Sequence, residues 1–393
     1  MPSEADVASG HSVPEPADRV AAETWFLQRG LPSVLTRRAR WRRLWRRSAP
    51  ALAGYATVVA CVTIIDVAAG GQSIDIGDDP TPAELLILAV LAAIVPLALV
   101  LTWLVSRIES PSGRRRAATA AVVVAVVCSL PNSSWASRFE DVVTVLQLTA
   151  LTLVLNGLGV GSMVGWAVRL TVSHLASAGA LVTRALPVVL LTVLVFFNGY
   201  VWSMATKIGR DRMWLVVGFM VLIAIAFLFT GVIERARPVL NDRSTRDSDA
   251  ARLTETPFVA MPDPVAGDPL RAGERANVIF VVMASQFIQI ATVAIVTAAI
   301  FFVLGLLVLS PEVLTTWTAN GTDQGTWFGM TLPVPQALIH VTMFLGALTF
   351  MYVSARSVGD GEYRKEFLDP LVDDLRLNLV ARNRYRAHVY EGH

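Results

Sequence analysis

Only two cysteines, two lysines among 33 basic residues and a charged fraction of 16% set this 393-residue chain apart from ordinary soluble proteins. Soluble chains carry roughly 25% charged residues. Cys61 and Cys128 both lie inside apolar runs, which argues against a disulfide framework and leaves them as small buried hydrophobes. There is no GxxxxGK(S/T), no HExxH, no GxSxG and no Cys/His set with metal spacing. Nucleotide hydrolysis, zinc proteolysis and serine hydrolysis therefore lose their sequence support. No nucleophile or acid/base pair can be nominated, so the reading leans away from an enzyme, with no cofactor, no metal and no nucleic-acid partner expected. Residues 1–22 are polar and acidic, with Glu4, Asp6, Glu15 and Asp18, and hold no apolar core of a secretory signal.

What the chain does have is apolar length. Hydrophobic residues make up 54% and mean hydropathy is +0.55. A helix needs roughly 20 apolar residues to cross a hydrocarbon core about 30 Å thick, because its backbone amides must be satisfied within the segment. Eight runs qualify: Ala51–Ala69, Leu85–Val105, Ala117–Ala136, Val142–Val168, Leu186–Ala205, Met213–Ile233, Asn277–Leu309 and Ala337–Ser354. The seventh is over-long, so its first turns are expected at or beyond the interface. The expected fold class is all-α, a polytopic membrane helix bundle of about eight spans with both ends inside.

Orientation follows from arginine. With the N-terminus inside, 29 of the 33 basic residues face the cytoplasm, and only Arg138, Lys207, Arg210 and Arg212 lie outside. Tryptophan agrees, since its ring favours the headgroup level. Trp41, Trp45, Trp103 and Trp166 fall at inner ends; Trp135, Trp202, Trp214, Trp317 and Trp327 fall at outer ends or loops. The basic loop Lys207–Arg212 leaves open a re-entrant pair in place of the fifth and sixth crossings. The expected location is a bacterial cytoplasmic membrane.

Five parts follow from these runs. Residues 1–50 form a cytoplasmic tail with a basic amphipathic segment, and 51–233 form a six-span part. A linker loop at 234–276 precedes a two-span part at 277–356, and 357–393 form a cytoplasmic amphipathic helical tail. In the first of these, Arg37, Arg38, Arg40, Arg42, Arg43, Arg46 and Arg47 surround Trp41 and Trp45, a pattern suited to anionic lipid at the cytoplasmic face. The bland alternative is a topology anchor. The 234–276 loop reads as a linker that could also hold a docking site. In the tail, Asp369 and Pro370 open a helix whose Leu368, Leu371, Val372, Leu375 and Leu379 recur at helical spacing. Such a stripe must be buried on the bundle itself, on a second copy or on an envelope partner.

Inside the membrane, Gly157, Gly161 and Gly165 form a GxxxGxxxG ridge suited to close helix packing. Polar residues at depth are functional candidates by default. Asp66, Asn156, Asn198, Gln286 and Gln289 form the candidate intramembrane polar path. Asp66 lies near the outer end of its run and reads either as interfacial or as a proton- or cation-coupling group. The amides read as interhelical hydrogen bonds or, alternatively, as a transporter's midplane contacts. His340 begins the eighth run and reads as structural. Outer acids Asp75, Asp78, Asp79, Glu84, Glu140 and Asp141 form a loose set.

Three stretches carry a resemblance. Thr183-Arg184-Ala185-Leu186-Pro187 leads into a run with Phe196, Phe197, Asn198 and Trp202. Ser285-Gln286 is followed by Phe301-Phe302 and Gly305. In the tail stand Tyr363-Arg364, Glu366-Phe367, Ala381-Arg382 and Tyr385. Over residues 150–390 the chain resembles a family of uncharacterised actinobacterial multi-spanning integral membrane proteins. It departs from that pattern at Gly199-Tyr200-Val201, where the family carries an acid. The resemblance implies a helical membrane bundle in a bacterial inner membrane and supplies no activity. Two functional readings stand: a non-enzymatic structural, scaffold or regulatory membrane protein, and a secondary transporter or permease using polar groups of the fourth, fifth and seventh spans.

Overall fold

The computed structural model describes residues 16–35, 41, 44–70, 76, 81–130, 135–175, 186–241, 251–259, 261, 269–318, 323–327, 330–359 and 369–390. Thirteen α-helices are formed among them. Helix α1 is Pro16–Gln28, followed by a 3-10 turn at Pro32–Val34. Four helices come next: α2 Leu44–Ala68, α3 Pro82–Ser106, α4 Pro111–Cys128 and α5 Trp135–Leu158. Then come α6 Val160–Leu175, α7 Leu186–Phe196, α8 Gly199–Lys207 and α9 Arg210–Asn241. Helices α10 Ala272–Val308 and α11 Pro311–Thr318 precede a hairpin of β1 Gln324–Trp327 and β2 Met330–Pro335. Helix α12 Gln336–Gly359 and helix α13 Asp369–Tyr390 complete the chain.

Local chemistry sets several boundaries. Thr81 accepts from the Glu84 amide while Glu84 accepts from the Thr81 amide, a reciprocal cap with Pro82 in the first turn of α3. Ser110 caps α4 one way, its hydroxyl accepting from the Gly113 amide. Helix α10 has 37 residues, about 55 Å at 1.5 Å per residue, well beyond a ~30 Å hydrocarbon core. Part of it must therefore lie beyond the hydrocarbon core, and its charged residues, Glu274 and Arg275, are confined to its first turn.

Among the described residues, six helices are long and apolar enough to cross a membrane: α2, α3, α5, α9, α10 and α12. Three of the eight expected runs differ. The third becomes α4, an 18-residue helix whose first turns carry Arg114, Arg115 and Arg116. The fourth is cut at Gly159, which has φ +95°, a conformation that costs an L side chain about 1–2 kcal/mol. The fifth is cut at Phe197-Asn198 into pieces of 11 and 9 residues, each too short to cross alone.

Helix α2 packs against α3, α4 and α5, with Ala49, Leu52, Ala56, Ala118, Ala121 and Ala125 at the shared core. Helices α9, α10 and α12 form a second unit, on which α6, α7 and α8 also pack. Packing thus joins helices from both sides of the 234–276 loop. One end of this second unit carries the hairpin. The other carries a cap built from α1, residues 251–259 with Met261, α13 and the ends of α9 and α10. Phe26 and Phe258 are fully buried there, with ring centroids 5.2 Å apart, and Tyr385 lies 5.4 Å from Phe26. The chain is a polytopic membrane bundle, all-α among the described residues apart from one two-stranded hairpin.

Candidate functional site

The first turn of α10 supplies the most strongly determined polar constellation. Glu274 sits at its third position, and its carboxylate accepts from the Arg271 amide at 3.0 Å, where the helix dipole favours negative charge. Arg382 of α13 donates to both carboxylate oxygens, Nη2 to Oε2 at 2.8 Å and Nε to Oε1 at 3.2 Å. Arg386 adds a contact to Oε1 at 3.0 Å. Arg382 also reaches the Pro269 carbonyl at 3.3 Å and Asn383 Oδ1 at 2.8 Å. All three charged groups are buried. A charge placed there is tolerable only with such pairing.

A more exposed group lies beside it. Asp374 pairs with Arg252 at 2.9 Å and lies 4.0 Å from Arg29. Burial pushes the Arg29 guanidinium below its ordinary range, Asp374 opposes that shift, and Arg252 adds to it. Arg29 also lies 4.5 Å over the Trp25 ring. Together these contacts tie the N-terminal helix, the 251–259 segment and the C-terminal helix to one another. The tail helix therefore docks on its own protein. The buried set runs from Leu375 through Leu377, Val380, Ala381 and Tyr385 rather than along a single stripe, because arginines are buried on the intervening positions. Leu379 is half-buried, and the side chains of Leu368, Leu371 and Val372 lie outside the described residues.

The basic segment is tied to the bundle by its aromatic side. Trp41 lies against Gly157, where an added Cβ would come within 3.2 Å of the ring. Pro32 occupies the space beside Gly159, and Asn156 the space beside Gly161. Gly165 has open space around it. The expected ridge thus receives a tryptophan and a proline from the N-terminal segment at its break, rather than a helix backbone along its length. Trp45 donates from Nε1 to Thr119 Oγ1 at 3.3 Å. Arg46 and Arg47 have partners in the chain. Arg37, Arg38, Arg40, Arg42 and Arg43 lie outside the described residues.

The five expected members of an intramembrane path do not converge: Gln286 and Gln289 lie together, and Asp66, Asn156 and Asn198 each lie elsewhere. Asp66 is exposed near the end of α2, within electrostatic reach of Asp141 on α5. Asn156 is buried, and its Nδ2 donates to Thr152 O of its own helix at 3.0 Å. Asn198 is exposed and caps α8 by accepting from the Tyr200 amide at 3.0 Å. Gln286 and Gln289 alone are buried inside the packed unit of α9, α10 and α12, beside fully buried Ser285. The sequence pattern missed Glu274 and Arg382; the Arg271-x-x-Glu274 spacing before an apolar run is the local signal for the first of them.

The opposite end is fastened by a relay. Gln336 Oε1 accepts from the Thr326 amide at 2.7 Å, and Gln336 Nε2 lies 2.6 Å from His340 Nε2. His340 Nδ1 is 2.8 Å from the Ala205 carbonyl at the end of α8. Arg210 donates to the Thr326 carbonyl. His340 is thus buried and structural. Among the described residues no group of three or more His, Cys, Asp or Glu side chains converges on a metal-sized site.

No family model, no curated protein and no solved structure matches the chain.

Proposed function

We propose that this chain is a non-enzymatic multi-pass protein of a bacterial cytoplasmic membrane, of scaffold or regulatory type, with both ends in the cytoplasm. The dispersal of the polar residues carries this reading. Asp66, Asn156 and Asn198 are respectively exposed, bonded to their own helix, and used as a cap. A substrate path would need them to share a cavity. The conspicuous construction lies instead in the cap, where α13 is locked to the start of α10 through Glu274 and segments distant in sequence share one core.

Anionic lipid is the partner this arrangement suits. The arginines of residues 37–47 flank Trp41, and Trp41 rests on the Gly157 turn just ahead of the α5–α6 break. Headgroups drawn to those arginines would bear on the junction between the two helical units, each charge contributing about 1 kcal/mol near the surface. A second copy or an envelope protein is the further partner proposed for the cap surface. The resemblance to uncharacterised actinobacterial membrane proteins belongs to the same reading.

The test is reconstitution into vesicles with and without anionic lipid. Thermal melting should rise with anionic lipid, and the rise should vanish when the arginines of 37–47 become glutamine. Equal melting in both lipids would remove the lipid partner. Solute flux above leak that Gln289→Leu abolishes would replace the scaffold reading with a permease. That second reading is favoured by one observation, the buried Gln289 amide and Gln286 Nε2 without partners.

A further inference from the structure

Several buried polar side chains fall on facing stretches of two helices. Ser285 Oγ, Gln286 Nε2 and both amide atoms of Gln289 on α10 have no hydrogen-bond partner, nor do Thr349 Oγ1 and Ser354 Oγ on α12. All five residues are more than nine-tenths buried. The two helices run antiparallel, with Leu338 at Gly305, Gly346 at Ala294 and Ala298, and Phe350 at Phe287. That register sets Thr349 level with Gln289, and Ser354 level with Ser285 and Gln286.

Apolar side chains share and adjoin this level. Ile290 follows Gln289 directly and Phe350 follows Thr349, and both belong with Ala224, Leu228 and Ala294 to one buried cluster. Toward the cap stand Val278 and Val282. No charged residue occurs in α10 after Arg275, in α9 between Arg212 and Glu234, or in α12 before Arg356. An orphaned buried polar atom costs about 1–3 kcal/mol, and several together at one level would be a heavy penalty in a fold that has alternatives such as leucine. Polar atoms in such numbers are ordinarily satisfied by ordered water or a bound group. An unpaired ion is disfavoured, because nothing at that level offsets its desolvation.

We infer that α10 and α12 enclose a hydrated, uncharged site at Ser285, Gln286, Gln289, Thr349 and Ser354, suited to water and to small neutral compounds bearing an amide or hydroxyl group. Gln289 offers a donor and an acceptor side by side, the complement of another amide. This inference stands apart from the scaffold reading, since a buried hydrated site is compatible with either that role or a permease.

Synchrotron radiolysis of the full chain in lipid nanodiscs provides the test, because hydroxyl radicals form from waters held inside the protein and oxidise the nearest side chains. Met283 and Met351 are the reporters next to the site, and buried Met220 on α9 is the dry reference. The expected result is oxidation of Met283 and Met351 several-fold faster than Met220. The double variant Gln286→Leu, Gln289→Leu should lose most of that excess while Met220 stays unchanged. Equal, slow oxidation of all three methionines in the unaltered chain overturns the site, whatever the variant does. Fast oxidation that persists in a folded double variant overturns it too, by detaching the water from these side chains. Lipid leakiness would move Met220 together with the reporters.

Discussion

Arg382 grips both oxygens of Glu274 across 108 residues of sequence, at 2.8 and 3.2 Å, with both side chains almost wholly removed from solvent. The contact joins the start of the longest helix to the last helix. Removing one partner leaves the other charge buried.

Arg382→Ala is therefore expected to cost about 3–5 kcal/mol of cap stability, the usual penalty for breaking a buried pair from one side. Arg386 remains within reach of Glu274 and sets the lower end of that range. The double variant Glu274→Gln, Arg382→Met should cost less than Arg382→Ala, because it removes both charges. Thermal melting in detergent, followed by limited proteolysis at the exposed Glu255, reads the outcome. A double variant weaker than the single one would show that the pair contributes by its charge rather than by avoiding a buried orphan.

The glycines of the fourth apolar run separate two accounts of that run. A uniform packing ridge predicts similar losses for Gly157→Ala, Gly161→Ala and Gly165→Ala. The structure predicts inequality. Gly165→Ala enters open space and should leave stability within about 0.5 kcal/mol. Gly159→Ala meets Pro32 and a positive φ, and should cost about 2 kcal/mol or more. Gly157→Ala falls between them, through displacement of the Trp41 ring. Unfolding midpoints of the single variants check the order.

Those glycines also show what a linear pattern can carry. The long apolar runs of α2, α3, α9 and α12 are legible because lipid imposes a length and a composition on any helix that crosses it. The over-length of α10 and the Asp369-Pro370 start of α13 are legible for similarly local reasons. The break at Gly159 is not, since Val142–Val168 holds no charged residue and no proline, and the Pro32 ring that fills the turn comes from a distant segment. The break at Asn198 had a visible cue, an amide that can cap a helix, but the same residue reads equally well as a buried polar group. Burial of Gln286 and Gln289 followed from their position in an apolar helix. The Glu274–Arg382 pair did not follow from anything local, because partner choice between distant charges depends on how the helices pack.

His340 fills a different need. The Ala205 carbonyl belongs to the last turn of α8, where no intrahelical donor is available, and the His340 ring supplies one. His340→Ala should orphan that carbonyl and the Gln336 amide together, at about 1–3 kcal/mol for each group that water does not reach. Loss of order should concentrate in α8 and the hairpin, because Gln336 also holds the Thr326 amide. Hydrogen exchange of residues 199–207 and 324–335 measures it, and faster exchange in the cap instead would contradict the relay.

Threading of the chain is settled by which residues share a side. Arg115 lies in the first turns of α4, Glu255 lies in the cap, and Asp211 lies next to the hairpin end of α9; all three are exposed. With Cys61 and Cys128 replaced by alanine, single cysteines at Arg115 and Glu255 should react with a membrane-impermeant maleimide only after the vesicle is opened to the cytoplasmic side. A cysteine at Asp211 should react from the opposite side. Arginine asymmetry makes this the favoured threading, since moving the clusters at 37–47 and 114–116 across the bilayer would oppose the bias that orients membrane helices. Labelling of Asp211 from the same side as Glu255 would mean that the broken α7–α8 element re-enters and does not complete a crossing.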